Sequence, residues 1–518
     1  MKIHYSLDSA VALDPAKQPI LQAMQSAGVG QIWLHGYFFG HMASPVSDMV
    51  KARELLQTYG FDVGVINVPI GHPGNSANPD DPDMDFSLPS HWRYRVDRHG
   101  NFVYFCADME SGMLRDSVQA MEELRDAGFT QVLMDDDLRQ GNWGPEIEGC
   151  YCEACILEFN ETRSRAESRE SLKDLVESGT VTDVLKEWVA FYCSKVTEYL
   201  AAMAIPGIEV GTMIMPDGDE RHGLDVAAIR EAVPDCLFRV GEYQYNDETF
   251  GSPLGKALEY ISALKHLNWI DRKRAYSETT VFPNRALSAD NLVLKGKMAI
   301  ALGIPNIMLM SGTCVIEEDY WKVWQDSLAD MEEIDRQCYP YERAYPVHLL
   351  YGTHGVYQEP MHPSPLPVLA GLPVKPVRAH EGDRTGEVLC VFGDYLLGEE
   401  WEQLLPSYKQ VIFDQAAARK NPDKVAHPSY PQVLVWEHVA GTASSEDEVS
   451  MLRQIIARSV WDFPWTTDGG QVGLIWLKEN KSIILTNLEN EEVECRITYN
   501  GRVRDVVMTP LSFQVLQW

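Results

Sequence analysis

Over roughly the first 330 residues, short apolar runs alternate with longer stretches of helical period. QIWLHGYFFG (Gln31–Gly40) reads as a buried strand opening into an aromatic loop, and helical spacing follows from Met49 to Tyr59. FDVGVINVPIGHPG (Phe61–Gly74) is a second strand ended by a Pro/Gly turn, and FVYFCAD (Phe102–Asp108) a third. The polar stretch Asn75–Pro89 between them is too long for a plain connection and is expected to border a site. Ser111 to Gly128 has helical period and stops at glycine. Further strands are expected at Gln131–Asp136, Gly207–Gly218, Cys236–Tyr245, Arg274–Asn284 and Asn306–Gly312. Helical stretches at about Val181–Met203, Leu254–Leu267 and Ala289–Leu302 fall between several of them. Eight strands separated mostly by helices predict a TIM (β/α)8 barrel. A doubly wound open sheet is the alternative, but no glycine-rich dinucleotide fingerprint follows an early strand.

Past Tyr339 the texture changes. After a proline-rich stretch (Pro360–Pro376), Glu387–Leu396, Gln410–Asp414 and Val433–Trp436 alternate with helical segments near Trp401 and Val449–Ser459. That pattern predicts a small α/β, flavodoxin-like domain. The last stretch, VGLIWL, KSIILTNL, EVECRITYN and the run to Trp518, is made of short β-type segments with tight turns, as in a β-sandwich. The expected division is residues 1–338 for the barrel, 339–462 for the α/β domain and 463–518 for the all-β domain.

Composition adds exclusions. A formal net charge of −32 argues against nucleic acid and anionic membrane as partners. No apolar run approaches the roughly 18 residues of a membrane span. The start, MKIHYSLDSAVALDPAKQ, lacks the continuous apolar core of an export signal. Ten cysteines without such a signal suggest reduced thiols, a metal site and a cytoplasmic location.

Chemistry concentrates in QVLMDDDLRQGNWGPEIEGCYCEAC, Gln131–Cys155. Its strand ends in Asp135, Asp136 and Asp137, and its loop ends in Cys150, Cys152 and Cys155. Three thiolates on one loop suit a tetrahedral metal, zinc by preference, and four protein ligands make such a site structural. Cys106, at the end of the third strand, is the expected fourth ligand. Glu278 ends the seventh strand, so in a barrel it faces the aspartates across one mouth. Two opposed carboxylates suit glycoside cleavage, one protonating the leaving oxygen while the other attacks or activates water. A helix cap, a salt bridge or a cation site are the other uses of three adjacent acids. They repel one another, so a cation is expected beside them, and Arg139 is close in sequence. Other strand-end residues are expected to line a polar-ligand pocket: His35, Tyr37, Asn67, Trp143, Glu242 and Tyr243. Glu242 also rivals Glu278 as the key carboxylate.

The zinc loop and the strand ends resemble the β-galactosidases of glycoside hydrolase family 42. In that family an Asn-Glu pair ends the fourth strand, a cysteine-rich zinc loop follows, and a glutamate ends the seventh. The resemblance implies that Glu278 is the nucleophile and Asp136 the acid/base, with Asp137 as the substitute. It places Asp135 where the family's asparagine holds the sugar 2-hydroxyl. It further implies an exo-acting, retaining glycosidase acting on a glycoside or oligosaccharide, structural zinc on Cys106, Cys150, Cys152 and Cys155, and a homotrimer built through the α/β domain. Asp-Asp-Asp in place of Asn-Glu is a departure. Aspartate is one methylene shorter, which keeps open an inverting mechanism with room for a water. It also leaves a carbohydrate-binding, non-hydrolytic protein as an alternative, and a cation site on the aspartates as another.

Overall fold

The computed structural model describes residues 1–518 apart from 73–87, 136–137, 142–145, 215–218, 243, 352–362, 379–385, 395, 399–403, 431 and 441–444. Among the described residues, eight parallel strands close into a TIM barrel: β1 Lys2–Leu7, β2 Val29–Phe38, β3 Asp62–Val68, β4 Gln131–Met134, β5 Glu209–Ile214, β6 Leu237–Val240, β7 Ala275–Tyr276 and β8 Asn306–Met310. β1 pairs with β2 on one side and with β8 on the other, so the closed sheet exposes no edge there.

Seven of the expected strands are barrel strands; the eighth place is filled differently. Phe102–Ala107 lies outside the barrel and forms an antiparallel hairpin with Tyr94–Val96. Its pattern explains the misreading. Phe102 and Tyr104 are aromatic yet 75% and 56% exposed, so the run has a wet face where a barrel strand is buried on both. The missing strand is β1. Lys2, His4 and Ser6 alternate there with Ile3, Tyr5 and Leu7, a pattern that suggests one wet face. His4 and Ser6 are nevertheless buried. His4 Nδ1 accepts from Trp33 Nε1 at 3.3 Å, and its Nε2 pairs with Asn306 Oδ1 at 3.1 Å. Burial pushes the His4 pKa down to about 3, which keeps the ring neutral in the barrel floor.

The lumen is packed by Trp33, Ile66, Leu133, Leu237, Tyr276, Met308 and Met310, contributed by six strands. Trp33 and Tyr276 meet edge to face at 5.8 Å. The helix before β4 buries one stripe. In Ser111–Asp126 the buried positions Met113, Ser117, Ala120, Met121 and Leu124 recur at helical spacing, and the Glu110 side chain caps the first turn by accepting from the backbone N–H of Gly112 and Met113.

By internal contacts the chain divides into two units. The first holds the eight barrel strands, in Met1–Gly241, Trp269–Asn284 and Pro305–Leu328. The second gathers Glu242–Asn268, Arg285–Ile304 and Ala329–Trp518. It includes a parallel sheet in the order Val374–Val377, Val347–Leu350, Val388–Val391, Gln410–Phe413, Val433–Val435. In chain order that is 2-1-3-4-5, the flavodoxin-like winding. Two three-stranded antiparallel sheets follow: Trp465–Gly469, Val493–Tyr499 and Arg502–Met508 in one, Val472–Leu477, Ser482–Asn487 and Phe513–Gln517 in the other. The second unit has its own buried polar ties. Lys295 Nζ donates to Glu259 Oε2 at 2.7 Å and to the Gln244 carbonyl at 2.6 Å, and Lys256 Nζ donates to the Leu488 carbonyl at 2.9 Å.

Candidate active site and thiol–carboxylate centre

Three barrel strands deliver charge by one rule of register. Leu133, Leu237 and Tyr276 belong to the lumen packing. Two residues further along β4, β6 and the chain leaving β7 stand Asp135, Arg239 and Glu278. Side chains alternate along a strand, so a residue two positions past a lumen residue returns to the lumen, one layer nearer the C-terminal rim. The three side chains meet there. Arg239 Nη1 makes a charge-assisted hydrogen bond to Asp135 Oδ1, and its Nη2 lies 3.5 Å from Glu278 Oε1. All three side chains are at most 5% exposed. Nη2 also donates to Thr280 Oγ1 at 3.0 Å.

Neighbouring backbone fixes the carboxylates. The Asp135 amide donates to the Asn67 carbonyl at 2.8 Å, which continues the β3–β4 pairing past the end of β4. Around Glu278 the chain leaves regular pairing between Tyr276 and Thr279, with the Thr280 amide donating back to the Glu278 carbonyl at 2.6 Å. Ser277 Oγ accepts from the Met308 amide at 3.1 Å and shares a hydrogen bond with Thr279 Oγ1 at 2.7 Å.

Several expected pocket residues lie in the same unit. Asn67 is buried, and its Oδ1 accepts from the Tyr37 amide at 2.8 Å. Gly36 makes that approach possible, because a Cβ there would stand 2.3 Å from Val65 Cγ1 and 2.4 Å from Asn67 Oδ1. The Tyr37 phenol is held well above its ordinary pKa, first by burial and then by the nearby Asp116 charge. His35 is half-buried, with Nδ1 3.9 Å from Asp8 Oδ2, and burial lowers its pKa against the pull of that carboxylate. Arg139 is buried beyond β4; burial and the charges of Arg139, Arg95 and Arg221 hold His222 neutral. The cation hydrogen-bonded to Asp135 is Arg239, which the sequence reading passed over. A signal was present, since an arginine inside the apolar run CLFRV must find a carboxylate or carry a heavy desolvation cost. Glu242 is buried and falls in the second unit. Asp136, Asp137, Trp143 and Tyr243 lie outside the described residues, as does most of the Asn75–Pro89 loop.

The cysteine loop forms a second centre. Donor atoms of Cys150, Cys152, Cys155 and Asp108 all lie within 4.8 Å of one another. Asp108, not Cys106, completes the described group. The Phe102–Ala107 hairpin strand is not a barrel strand, and it carries the chain two residues past Cys106 before the carboxylate reaches the thiols. Cys155 Sγ lies 3.2 Å and 3.4 Å from the two Asp108 oxygens. Hydrogen bonds from Cys150 and Cys155 pull the Cys152 thiol towards thiolate, while the Cys155 thiol is raised by its bonds to Cys150 and Cys152.

This donor set fits a tetrahedral metal: three sulfurs and one carboxylate oxygen, with hydrogen bonds behind them. The Val96 amide points at Cys150 Sγ and the Cys155 amide at Cys152 Sγ, each at 3.4 Å. Arg93 Nη2 holds Asp108 Oδ2 at 2.8 Å. The loop itself is tied to the hairpin by Arg95, fully buried, which pairs with Glu148 and donates to the Gly149 carbonyl at 2.9 Å. The Tyr192 hydroxyl donates to the Cys150 carbonyl at 2.6 Å.

No protein-family model matches the chain, and no curated protein matches it in sequence. Solved structures do. Gan42B, a GH42 β-galactosidase from G. stearothermophilus, superposes with a TM-score of 0.65 at 11% identity, over 99% of this chain and 97% of that one. A β-galactosidase from the Antarctic haloarchaeon Halorubrum lacusprofundi gives 0.64 at 11% identity, over 100% and 99%. The α-L-fucosidase isoenzyme 2 of Paenibacillus thiaminolyticus gives 0.60 at 12% identity, over 96% and 93%. The chain therefore has the fold of the GH42 β-galactosidases along nearly its whole length.

Proposed function

We propose that this chain is a glycoside hydrolase, exo-acting and retaining, that removes a terminal sugar from a β-galactoside or a related glycoside. The observation that carries the reading is the meeting of Asp135 and Glu278 on one guanidinium, although 143 residues separate them in sequence. That puts Asp135 and Glu278 at the C-terminal rim of the barrel, where TIM-barrel enzymes carry their active sites. The fold neighbours, named as β-galactosidases and an α-L-fucosidase, act on glycosides and support the class.

In this reading the Glu278 carboxylate attacks the anomeric carbon. The bond from that carbon to the leaving oxygen breaks, its electron pair stays on the oxygen, and Asp136 supplies the proton. A water then loses a proton to the Asp136 carboxylate and attacks the same carbon, and Glu278 leaves as carboxylate. Asp137 is the substitute donor. His35, Tyr37, Asn67 and Arg139, with Trp143, are the proposed sugar-binding set. Asp135 is engaged by Arg239, which draws it away from direct proton transfer.

The metal proposed for Asp108, Cys150, Cys152 and Cys155 is zinc, in a structural role, because four protein donors leave no open position for chemistry. Bound there, it would fix the β4 loop. The ten cysteines are all free thiols, which supports a reducing compartment such as the cytoplasm. A homotrimer is the proposed assembly, on the family resemblance, and light scattering measures it.

The test is hydrolysis of a panel of 4-nitrophenyl glycosides that includes β-D-galactoside and α-L-fucoside. Glu278→Ala should abolish turnover, and azide should restore it as the glycosyl azide. Asp136→Ala should slow substrates with poor leaving groups by roughly 10²-fold or more. Wild-type rates in both variants would sink the assignment. The configuration of the first-formed sugar, read by NMR, separates retention from inversion. Binding without turnover of any panel member would favour a non-hydrolytic scaffold.

A further inference from the structure

Arg239 is the charged residue of β6 and is 1% exposed. Among the described residues it faces Asp135 from just past β4 and Glu278 from beyond β7, and it also contacts the neutral Thr280 and Met213. The two acidic contacts are unequal. Asp135 takes a direct hydrogen bond, whereas Glu278 sits at 3.5 Å, outside the distance of a strong one. We propose that Arg239 is a positioning residue for Glu278, holding that carboxylate ionised and aimed, while Asp135 occupies the guanidinium closely enough to leave Glu278 nucleophilic. This rests on the reading of Glu278 as the attacking group.

Charge counting among these three buried side chains gives the reason. Arg239, Asp135 and Glu278 together carry one negative charge. When the Glu278 oxygen bonds to the anomeric carbon, the pair from the broken glycosidic bond leaves with the departing oxygen. That oxygen is protonated by the acid/base, and Glu278 becomes a neutral ester. Of these three groups the balanced pair of Arg239 and Asp135 then remains, and the negative charge has passed to the acid/base carboxylate. Without Arg239, two carboxylates would face each other and one would take a proton at neutral pH. Without Asp135, the guanidinium would turn to Glu278, and the ester would form beside an unbalanced buried cation.

The two losses move the protonation of Glu278 in opposite directions, which a purely structural role for Arg239 would not do. The experiment follows the acid limb of kcat/KM against pH, in the full chain, on a 4-nitrophenyl glycoside that the wild type cleaves. Arg239→Met should raise the limb by roughly one pH unit or more and lower kcat. Asp135→Asn should move the limb to lower pH. Arg239→Lys should return it towards the wild-type position. Losses of kcat in Arg239→Met and Asp135→Asn with the limb unmoved would overturn the proposal. If Arg239→Met does not fold, an unmoved limb in Asp135→Asn and in Arg239→Lys overturns it equally. Glu278→Ala separates the two levels. Full activity in that variant removes the nucleophile reading itself, while inactivity there with unmoved limbs elsewhere removes only the role of Arg239. A wild type that cleaves no member of the panel removes both.

Discussion

The identity of the fourth metal donor can be decided by comparing Asp108→Ala with Cys106→Ser. The four donor atoms lie within 4.8 Å of one another. A tetrahedral metal with metal–sulfur bonds of roughly 2.3 Å needs sulfurs roughly 3.8 Å apart, so the cluster is within about 1 Å of the bound geometry. Removing Asp108 deletes one donor and leaves the Arg93 guanidinium, 2.8 Å away, without the carboxylate it holds. Loss of a supporting hydrogen bond alone weakens metal binding by about 10–100-fold, so loss of the donor should reach the upper figure at least. A 100-fold loss of affinity removes about 2.7 kcal/mol of metal-linked stability. Cys106 is buried but lies outside the donor group, so serine there should leave the metal in place. The assay is metal content per chain by native mass spectrometry, with urea unfolding in the presence and absence of a chelator. Asp108→Ala should lose metal and unfold at lower urea, with little further response to chelator, as Cys152→Ser should. Metal loss in Cys106→Ser with retention in Asp108→Ala would refute the geometry argued for this centre.

Two further perturbations test the scaffold. Arg95→Met leaves Glu148 buried without its closest cation and frees the Gly149 carbonyl, so it should cost about 3–5 kcal/mol in urea unfolding and loosen the cysteine loop to proteolysis; an unchanged midpoint would count against the loop being pinned there. The folded-state pKa of His4, about 3, lies below the usual 6.5, so the unfolded chain binds a proton that the folded chain refuses. Stability from this group is therefore complete above about pH 6.5 and is lost as pH falls from there towards 3, by about 1.4 kcal/mol per unit at most. His4→Asn should flatten that part of the curve of unfolding free energy against pH, and an identical slope in both proteins would show that His4 is not the group responsible.

Local chemistry was legible in the chain itself. Apolar runs too short for helices, set between stretches of helical period, gave the barrel class. CYCEAC marked a candidate metal loop because three donors within six residues need no folding to be neighbours. The turn from apolar to acidic at Leu133–Asp135 and from Tyr276 to Glu278 marked the ends of β4 and β7, since alternation is a property of one strand.

Closure of the barrel decided the rest. Which strand pairs with which is not written in a strand's own pattern. The aromatic run Phe102–Ala107 therefore passed for a barrel strand, while β1, with its buried His4 and Ser6, did not. The partner of a charge is equally non-local. Asp135 took Arg239, from a strand 104 residues away, and the thiols took the carboxylate of Asp108 from a hairpin outside the barrel. Sequence proximity suggested Arg139 for the first place, and the expected barrel position of Phe102–Asp108 suggested Cys106 for the second. A buried charge is paired by whatever the fold brings within a few ångströms of it, and that distance exists only once the sheet has closed.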